Sequence, residues 1–182
     1  MQPKKLIIFT DIGDTIIDEG TEVLLPGSEL VLRADCIPGA KETTLRLHEA
    51  GYTIVMVADG LVQSFKNSME QHGLDDVFAA KVISQAVGER KPSPKMFQTA
   101  MDVMGLKEED KRRIIMVGNN LKRDVIGANH FGIRSVLLDW SPRYNYTPPQ
   151  EDMIPDEIIH TPEELWDLAE RLEAELEQES NE

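Results

Sequence analysis

Short unbroken apolar runs alternate along this chain with stretches whose apolar residues recur every third or fourth position. The first run, "KKLIIFT", is continuous and rich in isoleucine, the pattern of a strand buried on both faces. "PGAKETTLRLHEAG" then predicts a helix, with Pro38 near its start and Gly51 as its stop. "YTIVMVA" predicts a second buried strand, followed by the helical "LVQSFKNSMEQHG". "FAAKVIS" reads as a shorter third strand and "SPKMFQTAMDVMG" as a helix. "RRIIMVG", "LKRDVIGANHFG" and "RSVLLDW" continue as strand, helix and strand. The proline-rich "SPRYNYTPPQEDMIP" predicts a surface loop and "DEIIH" a short edge strand. "TPEELWDLAERLEAEL" opens with a capping box, Thr161 as N-cap, Pro162 at the first helical position and Glu164 behind them. Between the first strand and Pro38, "EVLLPGSELVLRADC" reads as a strand–turn–strand flap around Pro26 and Gly27.

Strands alternating with helices imply a parallel sheet with helices on both faces, an α/β domain of three layers. No repeat or linker divides the chain, so residues 1–182 read as one domain, with 16–37 as flap and connection and 162–178 as a C-terminal helix. In such sheets function gathers at the carboxyl ends of the strands. Asp11, Ala58, Ser84 and Gly118 each follow a strand and should therefore surround one crevice.

The 182 residues suffice for one substantial core. Apolar residues make up 41% and charged ones 29%, an ordinary globular balance, and no apolar run approaches membrane-spanning length. A single cysteine, Cys36, excludes an intrachain disulfide and reads as a small core residue. With no signal-peptide pattern at the start, a cytoplasmic location is the expectation. The formal net charge of −14 argues against nucleic acid as a partner. An anionic substrate must then be held locally, by a lysine, a metal or helix amides.

The strand ends supply such groups. Asp11 closes the first strand, Lys91 precedes a helix in "VGERKPSPKMF", and Asn119, Asn120 and Asp124 follow the fourth strand in "VGNNLKRD". A carboxylate beside a lysine and helix N-termini suits nucleophilic attack on phosphorus, with a hard cation screening the anions. Asn119 and Asn120 also fit a plain strand-to-helix turn.

Here the chain resembles the haloacid dehalogenase (HAD) superfamily over nearly its whole length. "FTDIGDTI", "CIPGAKETTLRLHEAGYTIVMVADG", "VGERKPSPKMF" and "IIMVGNNLKRDVIGANHFGI" follow the order of its four motifs. The resemblance implies a three-layer Rossmann-like HAD fold, here with a small flap and no large cap domain. It implies Asp11 as nucleophile, Lys91 as the charge-neutralising lysine and Asp124 as the second acid of the fourth motif. Thr15, Ala58, Asp59, Gly60 and Lys91 would face the substrate. A magnesium ion would sit on Asp11, the Gly13 carbonyl and Asn119.

Three positions depart from the pattern. Gly13 stands where the phosphatases carry a second aspartate that protonates the leaving oxygen. Asp14, one place on, reads as a turn or local-cap residue. Ala58 lacks the hydroxyl of the second motif, and Asp59 reads as a cap for the helix beginning near Gly60. Asn119 replaces a metal-binding aspartate, which should weaken magnesium binding. The expected function is a magnesium-assisted phosphatase-type hydrolase working through an aspartyl intermediate and favouring good leaving groups. The alternative is a catalytically impaired binding or regulatory protein on the same fold. The substrate is a small phosphorylated or other electrophilic molecule, or a macromolecule reaching an open site, which a homo-oligomer could close. A dinucleotide-binding function fits poorly, because no GxGxxG follows the first strand.

Overall fold

A computed structural model describes residues 3–179. Six strands form one parallel sheet in the order β5-β4-β1-β6-β7-β8: β1 (Ile7–Thr10), β4 (Thr53–Ala58), β5 (Phe78–Ile83), β6 (Ile114–Gly118), β7 (Arg134–Leu138) and β8 (Glu157–Ile159). The predicted strands are all present, "DEIIH" as an edge. The other two strands, β2 (Val23–Leu24) and β3 (Val31–Arg33), pair antiparallel as the flap, with Gly27 at φ +75 in its turn.

Successive strand residues face opposite sides, and both sides are apolar. Leu6, Ile8, Ile54, Met56, Ile115 and Val117 share one core with α1 (Ala40–Glu49), α2 (Val62–His72) and α6 (Glu164–Glu179). Ile7, Phe9, Val55, Val57, Ile114 and Met116 share the other with α4 (Pro94–Val103) and α5 (Ile126–Phe131). The one-turn α3 (Ser84–Val87) follows β5 directly. The helical methionines Met96 and Met101 are buried in the core shared with α4, and Met104 packs against it partly buried. Glu173 of α6 accepts from the backbone N–H groups of Lys5 and Leu6 at 2.9 and 2.8 Å, tying the last helix to the entry of the central strand.

Two predicted helix starts differ in detail. The last helix begins at Glu164, whose carboxylate accepts from the His160 N–H at 3.0 Å. "LKRDVIGANHFG" is a π-turn over Leu121–Val125 running into α5. Among the described residues no helix is long and apolar enough to cross a membrane.

Candidate active site

The crevice lies at the carboxyl ends of β1, β4 and β6, with a volume of about 200 Å³. Asp11, immediately after β1, lines it, and its N–H donates to Val117 O of β6 at 2.9 Å. Beneath it the Lys91 side chain is 1% exposed. Its ammonium lies 2.9 Å from Asp11 Oδ1 and 2.7 Å from Asp124 Oδ1, and donates to Val57 O at 2.7 Å. Three oxygens thus surround an ammonium that has three donors. Loss of water works to lower the Lys91 pKa, but Asp11, Asp124 and Asp59 outweigh it and hold it raised. Burial pushes Asp124 up despite the lysine beside it.

Asp124 reaches Lys91 because of how β6 ends. The Asn120 N–H donates to Asp124 Oδ2 at 3.0 Å, and the Asp124 N–H donates back to Asn120 O at 2.9 Å within the π-turn. A Cβ on Gly118 would overlap the Asp124 carboxyl. Only a glycine lets that side chain fold back over the strand end.

Other expected residues divide. Gly13, Asp59, Gly60 and Asn119 line the crevice with Asp11. Asp59 does not cap a helix. The N-cap of α2 is Leu61, and Asp59 Oδ1 instead accepts from the Lys91 N–H at 3.0 Å. Its carboxyl is pushed up by burial first, against the pull of Lys91. Thr15 and Ala58 are not crevice residues. Thr15 is 4% exposed and lines a small apolar cavity with Ile8, Ala40 and Thr44, while Ala58 is fully buried. Ser84 sits one layer back, its Oγ accepting from the Gly60 N–H at 2.9 Å.

Asp14 is the turn residue its offset predicts, at φ 47. Its fully buried carboxylate accepts from the Arg143 guanidinium, from Ser141 Oγ at 3.1 Å and from the Glu19 N–H at 3.1 Å. Arg143 and Ser141 belong to the segment predicted as a surface loop, which instead folds back onto the first strand's turn. Tyr144 from that segment lines the crevice, as do Arg90, Arg123 and Glu19. None of the four was singled out by the sequence. Arg90 could have been, as the neighbour of Lys91, whereas Glu19 and Tyr144 carry no local signal. Tyr144 Oη donates to Glu19 Oε2 at 3.2 Å. The Glu19 carboxyl is pushed up to about 7, by loss of water first and then by repulsion from Asp14, Asp11 and Glu22.

A hard cation would find only a sparse donor set here. Among the described residues no cluster of three or more His, Cys, Asp or Glu side chains could hold one. Asp11, the Gly13 carbonyl and Asn119 remain, which suits an ion that keeps its waters and shares a substrate phosphate. Asn119 is 2% exposed, and its Nδ2 is buried without a hydrogen-bond partner. Turned about, the amide would present its oxygen in place of that orphaned donor.

The model of a haloacid dehalogenase-like hydrolase family matches residues 5–132. A glyceraldehyde 3-phosphate phosphatase of Methanopyrus kandleri is 31% identical over 135 residues, covering 74% of this chain and 57% of that protein. A phosphoglycolate phosphatase of Aliivibrio fischeri is 31% identical over 121 residues, covering 66% of this chain and 51% of that one. The chain thus spans little more than half the length of either relative. A HAD phosphatase structure from Thermococcus onnurineus superposes with a TM-score of 0.70 at 18% identity, covering 90% of this chain and 97% of that one, a likeness of fold.

Proposed function

Because the chain belongs to the haloacid dehalogenase-like hydrolase family, we propose that it is a phosphatase-type hydrolase acting through Asp11 on small phosphorylated molecules. One observation carries this function: Lys91, buried below the crevice, holds Asp11 at 2.9 Å and is itself held by Asp124 at 2.7 Å. The family name and the phosphatase names of the relatives favour the same chemistry.

Asp11 attacks phosphorus in line, the bond to the leaving oxygen breaks, and an aspartyl phosphate forms. Once phosphorylated, the Asp11 carboxyl no longer carries its own negative charge. That frees one Lys91 donor to turn to a phosphoryl oxygen, while Asp124 and Val57 O keep the ammonium in place. Arg90 and Arg123 at the crevice wall attract the rest of an anionic substrate. Asp11, the Gly13 carbonyl and Asn119 would hold Mg2+, which when bound neutralises phosphoryl charge. Asn119 contributes no charge, so the ion should bind weakly. Gly13 itself offers no proton donor. Taken alone, this favours good leaving groups such as acyl phosphates and activated aryl esters. The exposed Leu24, Leu25 and Leu32 of the flap leave space for a large substrate or a second subunit.

The test is hydrolysis of acetyl phosphate and p-nitrophenyl phosphate with and without Mg2+, in wild-type and Asp11→Asn protein. Turnover should fall by about 10³-fold or more in the variant, as when a nucleophile is removed. Turnover indifferent to Asp11 would refute this function. A binding or regulatory role is favoured by a single observation, the buried Ala58 in place of a crevice hydroxyl. It expects no Asp11-dependent turnover, only stabilisation by a phosphate ligand.

A further inference from the structure

The place emptied at Gly13 is not empty. A Cβ built on Gly13 would overlap Glu19 Oε1 and come within 2.9 Å of Glu19 Cδ. The carboxyl of Glu19 therefore occupies the volume in which a side chain at position 13 would begin. It faces the same crevice as Asp11.

Glu19 is also anchored there. It opens a short helical turn, Glu19–Thr21, capped by Asp18, whose Oδ1 accepts from the Gly20 N–H at 2.9 Å. Its own N–H donates to Asp14 Oδ1 at 3.1 Å, and Tyr144 Oη donates to its Oε2 at 3.2 Å. The Asp14 carboxylate is fully buried and engaged by Arg143 and Ser141, so it has no role left facing the crevice. An acid one residue too far along the chain thus fixes the backbone of another acid that reaches back into the vacated place. With one carboxylate oxygen on Tyr144, the other, Oε1, is the one that lies against Gly13.

We infer that Glu19 is the general acid and base of the Asp11 reaction, supplied from the turn after β1 in place of a side chain at position 13. The inference rests on the phosphatase function proposed above. As Asp11 attacks phosphorus, the bond from phosphorus to the ester oxygen breaks and its electron pair stays on that oxygen. The proton of the Glu19 carboxyl passes to the same oxygen, and an alcohol leaves. The Glu19 carboxylate then takes a proton from water as the water oxygen attacks the aspartyl phosphate at phosphorus. The bond from phosphorus to Asp11 breaks, inorganic phosphate leaves, and both carboxyls return to their starting states. Poor leaving groups are consequently substrates, and the handicap expected from Gly13 is lifted.

The test is a series of aryl phosphates from p-nitrophenyl to unsubstituted phenyl, with acetyl phosphate as the anhydride whose leaving acetate needs no proton. Wild-type kcat/KM should depend weakly on the leaving group. Glu19→Gln, which keeps the shape and removes the proton, should slow phenyl phosphate by about 10²–10⁴-fold. For acetyl phosphate kcat/KM, which reports only formation of the aspartyl phosphate and needs no proton, should stay near wild type and so certify folding and the Asp11 step, while kcat falls because hydrolysis of the aspartyl phosphate has lost its base. Gly13→Asp placed in a Glu19→Ala background should recover phenyl phosphate hydrolysis, since the clash with Glu19 is gone. Equal loss of kcat/KM on all substrates with a raised Mg2+ requirement would make Glu19 a metal ligand and overturn the inference. So would an unchanged leaving-group dependence, or a wild-type protein that hydrolyses only acetyl and p-nitrophenyl phosphates. In each of those cases Asp11-dependent turnover of acetyl phosphate keeps the phosphatase function standing, and its absence refutes both.

Discussion

Asp14 joins two unfavourable features, a buried charge and a backbone at φ 47, and the surroundings compensate for both. Aspartate tolerates positive φ better than most residues, and the carboxylate collects donors from Arg143, Ser141 and Glu19. Asp14→Asn keeps the backbone tolerance but loses the charge. It should cost about 1.5 kcal/mol, the low end for a hydrogen bond to a charged group, because Arg143 is 40% exposed and partly screened by solvent. Asp14→Ala should cost about 1 kcal/mol more, from left-handed backbone strain. Urea unfolding of the two variants measures the difference, and equal destabilisation would remove strain from the account. The sequence showed Asp14 to be out of register with Asp11, because position alone decides that. It could not show Arg143 as the partner, which lies far along the chain in a segment whose prolines read only as loop. Asp59 departs from its sequence expectation for a similar reason. The local pattern "ADGLVQ" looks like a helix cap, but the carboxylate turns to the Lys91 backbone instead.

At the scale of elements, the alternation of apolar runs and helical periods was enough to read every strand of the main sheet and the flap hairpin. The inner strands are set by their own residues and by burial on both faces, whereas the flap strands are mostly exposed. The pattern of the segment after β6 predicts a plain helix, and the structure opens it with a π-turn. That turn has no period of its own; it exists because Asp124 must fold back over Gly118 to meet Lys91. Gly118→Ala tests this dependence. The added methyl would overlap the Asp124 carboxyl, which is fixed from two sides by Lys91 and the Asn120 N–H. Overpacking of this kind costs about 1–3 kcal/mol, and the displaced Asp124 would leave Lys91 free to swing from Asp11. Thermal unfolding and acetyl phosphate turnover should fall together in this variant. A stable, fully active protein would mean that Asp124 does not position Lys91.

At the scale of the whole molecule the charge opposes the proposed substrate. The formal net charge is −14, and the crevice adds Glu22 and Glu29 to Asp11 and Asp59. Against these stand Arg90 and Arg123 at the wall, since Lys91 lies below the surface with its donors engaged. A phosphate dianion therefore approaches through a repulsive field and gains its attraction only within the last few ångströms. Salt screens the long-range part first, because the Debye length shortens from about 30 Å at 0.01 M to about 8 Å at 0.15 M. At saturating and constant Mg2+, kcat/KM for p-nitrophenyl phosphate should rise with KCl over that interval while kcat stays level. Glu22→Gln/Glu29→Gln should raise kcat/KM at low salt and flatten the dependence. Arg123→Ala should raise KM without changing the sign of the salt effect. A kcat/KM that falls with salt would instead mean that the two arginines dominate the field at the distances where encounter is decided, and that the acidity of the chain is turned away from the crevice.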